Sequence, residues 1–473
     1  MPFPKDLRSL LRADCDRPAV APVAHLIGVN GSGMKALTEF LLDLGWDVSG
    51  SDTQPLPSNL PSDSVWRQVR FSLRHDAANV SPDAAIVVHS PAVDASNPER
   101  VAAVQRGLPV LSYVEMLAEL LSSRRAICIA GTHGKTTTTA MVATILREAG
   151  LSASVIIGGE TVAYGRSGWA GSGELIVVEA CEYRRHFLEF EPHVAAILNI
   201  EADHFDCFAT VSDAQAAFAD FAARVSPNGR LIVPAGDGGT QAITSRAACP
   251  VERFSIEADR EAAEWRVSEI EAVGNGSRFR VTSASGDSEV MELPVPGWHN
   301  VSNALAAIAV CSAVGVSRDA IADGLRTFRG TRRRFEVRGE FRGATIIDDY
   351  AHHPTAVSAT IETARQAFPG RRVVVAFQPH QVSRTQHLMD EFAAALARAD
   401  VTLLLPIFAA REDTQIAART LAELAEKTRK NGANASVLTS LDHLSATLDD
   451  AAQPGDVWLF LGAGNINTCA LPQ

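Results

Sequence analysis

Between Lys35 and Lys427 the chain carries a single lysine, Lys135, and it sits in the run Gly131-Thr132-His133-Gly134-Lys135-Thr136-Thr137-Thr138-Thr139. Positive charge elsewhere in this stretch is arginine, so a lone ammonium here points to a task that a planar guanidinium does not perform. The apolar run Ala126 to Ala130 before it has strand length, and Ala140 to Ala149 after it has helical spacing. A strand, a glycine turn and a helix start together aim backbone N–H groups and the positive end of a helix dipole at one point, which suits a phosphate. Lys135 can reach a β- or γ-phosphate oxygen, and the Thr136 hydroxyl can ligate Mg²⁺. The loop departs from the eight-residue phosphate loop, because Ile129 stands where that motif has its first glycine.

Other constellations fall at the ends of strand-like runs. Glu179 closes Leu175 to Val178, and Asn199-Ile200-Glu201-Ala202-Asp203-His204-Phe205-Asp206 follows the next run. A carboxylate and an imidazole at neighbouring strand tips can hold Mg²⁺ beside a phosphate loop, so Thr136, Glu179 and His204 are the expected metal ligands. Glu201, Asp203 and Asp206 are expected to solvate a loop. In Pro296-Gly297-Trp298-His299-Asn300-Val301-Ser302-Asn303, the amides of Asn300 and Asn303 are three apart, share one helical face and suit an adenine edge. The cluster Arg329-Gly330-Thr331-Arg332-Arg333-Arg334-Phe335 offers guanidinium forks for phosphate charge. Asp348, Asp349, Tyr350, His352 and His353 crowd one strand tip, an arrangement costly to bury idly. At a further tip, after Phe377, His380 and Arg384 stand four apart, and Arg384 can take a carboxylate through two hydrogen bonds.

The elements that must position these groups repeat one pattern. Val23 to Ile27 leads into Gly28-Val29-Asn30-Gly31-Ser32-Gly33-Met34, a helical stretch and then the strand Trp46 to Gly50, which ends in Ser51-Asp52. This reads as a Rossmann-type nucleotide half with an acid after its second strand. At 473 residues the chain predicts about three domains at roughly 100–200 residues each. The predicted boundaries are 1–121, 122–331 and 332–473. The expected class is α/β, with a Rossmann-like first domain, a central ATPase-type domain with a mostly parallel sheet, and a third Rossmann-like domain. Residues 251–293 alternate apolar and polar, which suggests an antiparallel edge insertion.

Forty-six per cent hydrophobic residues support large cores, and a net charge of −12 argues against nucleic acid or an anionic membrane as partner. Seven cysteines, Cys15, Cys128, Cys181, Cys207, Cys249, Cys311 and Cys469, never fall in a Cys-x-x-Cys pair, which suits a reducing compartment without a zinc or disulfide framework. Met1 to Pro18 lacks a signal-peptide core, and no run approaches the roughly 20 apolar residues of a membrane span. A cytoplasmic protein, monomeric or weakly dimeric, is expected.

Eight of these motifs in order resemble the Mur ligase family: residues 28–34, 48–52, 130–138, 179–185, 199–204, the His-Asn-x-x-Asn at 299–303, 348–355 and Gly462-Ala463-Gly464-Asn465. The resemblance implies an enzyme that joins L-alanine to the lactyl carboxylate of UDP-N-acetylmuramate with ATP and Mg²⁺, through an acyl phosphate. It implies that Gly28, Gly31, Gly33, Ser51, Asp52 and Ser90 hold the sugar nucleotide. Gly131, Thr132, His133, Gly134, Lys135, Thr136, Thr137, His299, Asn300, Asn303, Arg333 and Asp349 would hold ATP, and Lys135, Glu179, His204 and Arg333 would carry the chemistry. Alanine would lie near Tyr350, His352, His380 and Arg384. Asn30, Gln381 and Ala356 depart from the residues common in relatives. Two alternatives are a ligase that attaches a recycled tripeptide to the same sugar nucleotide and an idle nucleotide sensor. The tripeptide ligase usually has a bulky aromatic where Gly33 stands, and Asp-Asp-Phe where this chain has Tyr350. The sensor would show erosion of Lys135, Glu179 or His204. Relatives that add later peptide residues use a carbamoylated central lysine, and this chain has no second lysine there.

Overall fold

The computed structural model describes residues 11, 20–57, 60–236, 242–257, 263–283, 285–409 and 414–469. Cys15 and Met1 to Pro18, Leu11 apart, lie outside the described residues. Three sheets organise the chain. The first comprises β1 (Val23–Ile27), β2 (Asp47–Asp52), β3 (Arg70–Leu73), β4 (Ala84–His89) and β5 (Val110–Ser112) in the order β3-β2-β1-β4-β5, all parallel. Every residue of β1 is buried, as expected of a parallel strand covered on both faces. The order reverses between β1 and β4, so the Gly28 turn and Ser90 meet where such sheets take ligands.

The central sheet contains β6 (Arg125–Ala130), β7 (Ser154–Thr161), β8 (Arg166–Trp169), β9 (Leu175–Glu179), β10 (Val194–Ile197), β11 (Arg230–Pro234), β12 (Val251–Ser255), β13 (Trp265–Val273), β14 (Gly276–Thr282) and β15 (Ser288–Leu293). Its order is β15-β14-β13-β12-β11-β10-β6-β9-β7-β8. The predicted antiparallel insertion is confined to β13–β15, because β12 still pairs parallel with both β11 and β13. β6, β9 and β10 lie side by side at the centre, so the loops after them converge at one edge.

The third sheet holds β16 (Glu336–Phe341), β17 (Ala344–Asp349), β18 (Val373–Phe377), β19 (Val401–Leu404), β20 (Ala435–Val437) and β21 (Val457–Leu461), in the order β16-β17-β21-β18-β19-β20. Only the β16 edge is antiparallel. The architecture is thus three α/β units with mostly parallel sheets.

The first unit docks on the second through the helix Ser32–Asp43. Buried Glu39 accepts from Trp66 Nε1 at 3.1 Å and from the backbone N–H groups of Ser167 and Gly168 at 2.8 and 2.9 Å. Asp43 meets Arg166 at 3.0 Å beside it. Gly168 has no room for a side chain, since a Cβ there would run into the Ala36 carbonyl. Among the described residues no helix is long and apolar enough to cross a membrane.

Candidate active site

The turn between β6 and the helix Lys135–Glu148 is shaped by two glycines at positive φ, Gly131 at 137° and Gly134 at 81°. A side chain on Gly131 would strike the backbone of Leu198 and Asn199, and one on Gly134 would strike the Asn303 amide. Asn199 anchors the turn, accepting from the backbone N–H of Thr132 at its carbonyl (3.1 Å) and from that of His133 at Oδ1 (2.7 Å). Lys135 folds back over the turn. Its Nζ donates to the Gly131 carbonyl, to the Thr132 carbonyl at 3.2 Å and to both Glu182 oxygens at 3.1 and 2.9 Å. Burial pushes the Lys135 pKa down, but Glu182 outweighs it and the net direction is up. Glu182 is driven down by the same pairing despite its own burial. The ammonium is therefore firmly charged, and it faces a carboxylate that an incoming phosphate must compete with.

Thr136 donates its hydroxyl to Glu179 Oε2 at 2.9 Å, and the Gly158 N–H reaches the same oxygen at 2.8 Å. His204, at φ 53°, lies 3.6 Å from Glu182 Oε1. Of the acids expected to solvate a loop, only Asp206 is exposed, accepting from Tyr183 at 2.9 Å. Asp203 is buried against Arg384, and Glu201 lies among His133, His353 and Thr355.

From the third unit, β17 brings Asp348 and Asp349, both buried. Asp349 accepts from Phe335 N and Ala351 N, each at 2.7 Å, which fixes the bend into Tyr350 and His352. The His352 Nδ1–H donates to the Tyr350 carbonyl at 2.8 Å, leaving Nε2 as an acceptor. Burial and the Arg384 charge lower the His352 pKa, so the ring is neutral. A cavity of about 800 Å³ joins the two units. Lys135, Thr136, Glu179 and Asn303 line it from the central side, and Arg334, Tyr350 and His352 from the other.

The chain matches the Mur ligase family catalytic domain over residues 23–125, the Mur ligase middle domain over 129–311 and the Mur ligase glutamate ligase domain over 333–464. It is 40% identical to the UDP-N-acetylmuramate--L-alanine ligase of Salinibacter ruber over 95% of this chain and 94% of that one. With that of Desulfitobacterium hafniense it shares 37% identity over 93% and 97%. The chain belongs to the Mur ligase family. Among solved structures it is similar to the UDP-N-acetylmuramate-alanine ligase of Thermotoga maritima, with a TM-score of 0.78 and 26% identity over 94% of this chain and 96% of that one. The murein peptide ligase of Psychrobacter arcticus follows, with a TM-score of 0.73 and 26% identity over 95% and 97%.

As a Mur ligase, the chain departs from the expected site at several residues. Arg333 turns away from the cavity, donating Nη2–H to the Gly462 carbonyl at 2.6 Å with Nε 3.4 Å from Asp348. Its neighbour Arg334 enters instead, and its Nη2 reaches the Thr136 hydroxyl at 3.3 Å. Ser51 is fully buried, and its hydroxyl is committed to Glu99 at 2.5 Å and His75 at 2.8 Å, so it supports the first loop from beneath and offers nothing to a ligand. Asp52 pins that loop by accepting from Asn30 N at 2.9 Å and Gln54 N at 3.1 Å. The Asn300 amide N–H donates to the Pro296 carbonyl at 2.7 Å and its Oδ1 accepts from Asn303 at 3.3 Å, which leaves Asn303 Oδ1 turned to the phosphate turn. Arg384 is not a free fork: it is buried, with Nε on Asp203 and Nη1 3.2 Å from His380.

Thr137, His299 and Tyr350 line the cavity, and Gly28, Gly31 and Ser90 meet at the first-unit turn. Gln381 caps the helix Val382–His387 at φ 68°. Gly33 is covered by the tip of the Tyr113 ring, 2.7 Å from where a Cβ would lie, so a side chain there would require Tyr113 to shift. Glu182 was missed. Its signal was a second acid three residues after Glu179, one turn beyond the strand end.

Proposed function

We propose that this chain joins L-alanine to the lactyl carboxylate of UDP-N-acetylmuramate, converting ATP to ADP and phosphate, as a step in peptidoglycan precursor synthesis. The observation that carries the reading is the shared cavity, in which the phosphate turn and the Tyr350–His352 tip face each other across two units. In the proposed course, a carboxylate oxygen of the sugar nucleotide attacks the γ-phosphorus and ADP leaves. The alanine amine then attacks the acyl carbon, phosphate leaves, and the ammonium proton is lost. Lys135 and Arg334 sit where they stabilise charge on the transferred phosphoryl group. The neutral His352, with Nε2 open, is placed to take the amine proton.

A Mg²⁺ ion fits the hard oxygen donors Thr136 and Glu179, which already touch, and His204 lines the same cavity, 3.6 Å from Glu182. When bound, it neutralises charge on the β- and γ-phosphates. The Gly28, Gly31 and Ser90 turn is the proposed seat of the sugar nucleotide, and the protein is proposed to act as a monomer or weak homodimer. Gly33 and Tyr350 favour alanine addition over tripeptide recycling, since the recycling ligase usually carries a bulky aromatic and a phenylalanine at those positions.

Phosphate release from ATP tests the reading. It is expected only with UDP-N-acetylmuramate and L-alanine together, and less with glycine, L-serine or the tripeptide. Release without an amino acid, or equal release with all, overturns it.

A further inference from the structure

We propose that His133, Glu201 and His353 form a binding site for one divalent transition-metal ion of the zinc class, at the seam between the central and third units. His133 Nε2 lies 3.5 Å from Glu201 Oε2, and His353 Nδ1 lies 3.6 Å from the same oxygen. The three ligand atoms fall within 4.8 Å of one another, and among the described residues this is the group of histidine and acid side chains so disposed. Two donors each about 2.1 Å from a tetrahedral ion sit about 3.4 Å apart, so both edges already have the required length.

Both imidazole nitrogens are buried without a hydrogen-bond partner, and His353 is only 4% exposed. Buried ring nitrogens without a partner are costly, and an ion bound between them removes the cost. The groups behind the ligands are also arranged for this. His353 Nε2–H donates to the Ala202 carbonyl at 3.1 Å, which turns the Nδ1 lone pair toward Glu201. Thr355 donates to Glu201 Oε2 at 2.5 Å and orients the carboxylate, leaving its second lone pair open. Burial and His133 lower the His353 pKa and keep the ring neutral. Burial pushes the Glu201 carboxyl up, but His133, Thr355 and His353 outweigh it and bring it down to about 2, so it is ionised. Two imidazoles and one carboxylate suit zinc or cobalt better than Mg²⁺, which prefers oxygen donors. Because His353 belongs to the third unit and the other two ligands to the central one, a bound ion ties the units together at the cavity wall.

Titration of the nucleotide-free full chain with Co²⁺ tests the site, read by visible absorption and by equilibrium dialysis. One Co²⁺ per chain is expected, with the intense bands of a low-coordinate ion. Affinity should fall on the order of tenfold or more in His353→Asn and in Glu201→Gln, while Glu179→Gln and His204→Ala keep the bands. Bands that survive in His353→Asn, vanish in His204→Ala, or never form at one equivalent overturn the proposal. X-ray absorption of the unmodified chain with one Zn²⁺ needs no variant: two imidazole ligands support the site, and one or none refutes it.

Discussion

Arg384 of the third unit and Asp203 of the central unit form a buried ion pair, Nε to Oδ1 at 2.7 Å, that spans two separately folded sheets. Burial pushes the Asp203 carboxyl up, but Arg384 and then His204 outweigh it and hold the acid below its usual range. Arg384 thus ties the units together, and its Nη1 also lies 3.2 Å from His380 Nδ1, so a second duty beside the alanine is proposed for it.

These duties separate by mutation. Arg384→Ala leaves a buried carboxylate unpaired, and the expected loss of stability is about 3–5 kcal/mol. Asp203→Asn added to Arg384→Ala removes that charge and should restore most of the thermal midpoint. The L-alanine KM of the double variant should stay raised at least tenfold, with the ATP KM changed far less. Recovery of alanine binding together with stability would show that Arg384 is structural alone.

Lys135 carries a sharper expectation. Its ammonium fits among the Gly131 and Thr132 carbonyls and Glu182, a pocket shaped for a compact charge. Lys135→Arg retains the charge but replaces it with a broad planar fork. Turnover should fall by about 10²–10³ with the fold intact by circular dichroism. Near-normal kcat would refute the phosphate role.

How far the sequence reveals this site depends on the range of each interaction. The phosphate turn was legible because its determinants are local: an apolar strand, glycines at positive φ and a helix start, all within ten residues. The parallel sheets were legible for the same reason, from short apolar runs with polar residues at their C-terminal ends. Ser51 was not, because its hydroxyl is claimed by Glu99, 48 residues away and invisible to local pattern. The burial of Asp203 and Glu201 depends likewise on Arg384 and His353 from another unit. That Arg334 and not Arg333 lines the cavity has a backbone cause. Arg333 and Phe335 both have positive φ, at 60° and 50°, so the direction of successive side chains in this turn follows no helical or strand period.

That turn gives a paired test. Arg334→Ala removes the guanidinium nearest Thr136 and should lower kcat about 10²-fold or more, with little change in thermal midpoint. Arg333→Ala removes contacts to Gly462 and Asp348 and should act mainly on stability. The reverse order of kcat effects would return the catalytic part to Arg333.

Asp348 supplies a pH dependence. It is fully buried, and burial raises its pKa to about 6, opposed by Arg333 and reinforced by the charges of Asp349 and Glu336. An unfolded aspartate titrates near 3.9, so the folded pKa lies above the unfolded one. The native state then binds the proton more tightly. The resulting stabilisation is full below about pH 4 and is lost as pH rises through about 6. Two pKa units correspond to about 3 kcal/mol across that window. Asp348→Asn mimics the protonated form and removes the dependence. Its thermal midpoint, relative to the unmodified chain, should therefore be higher at pH 8 than at pH 4.5. An equal difference at both pH values would mean that Asp348 is already ionised at no cost in the folded protein, with Arg333 as an effective partner.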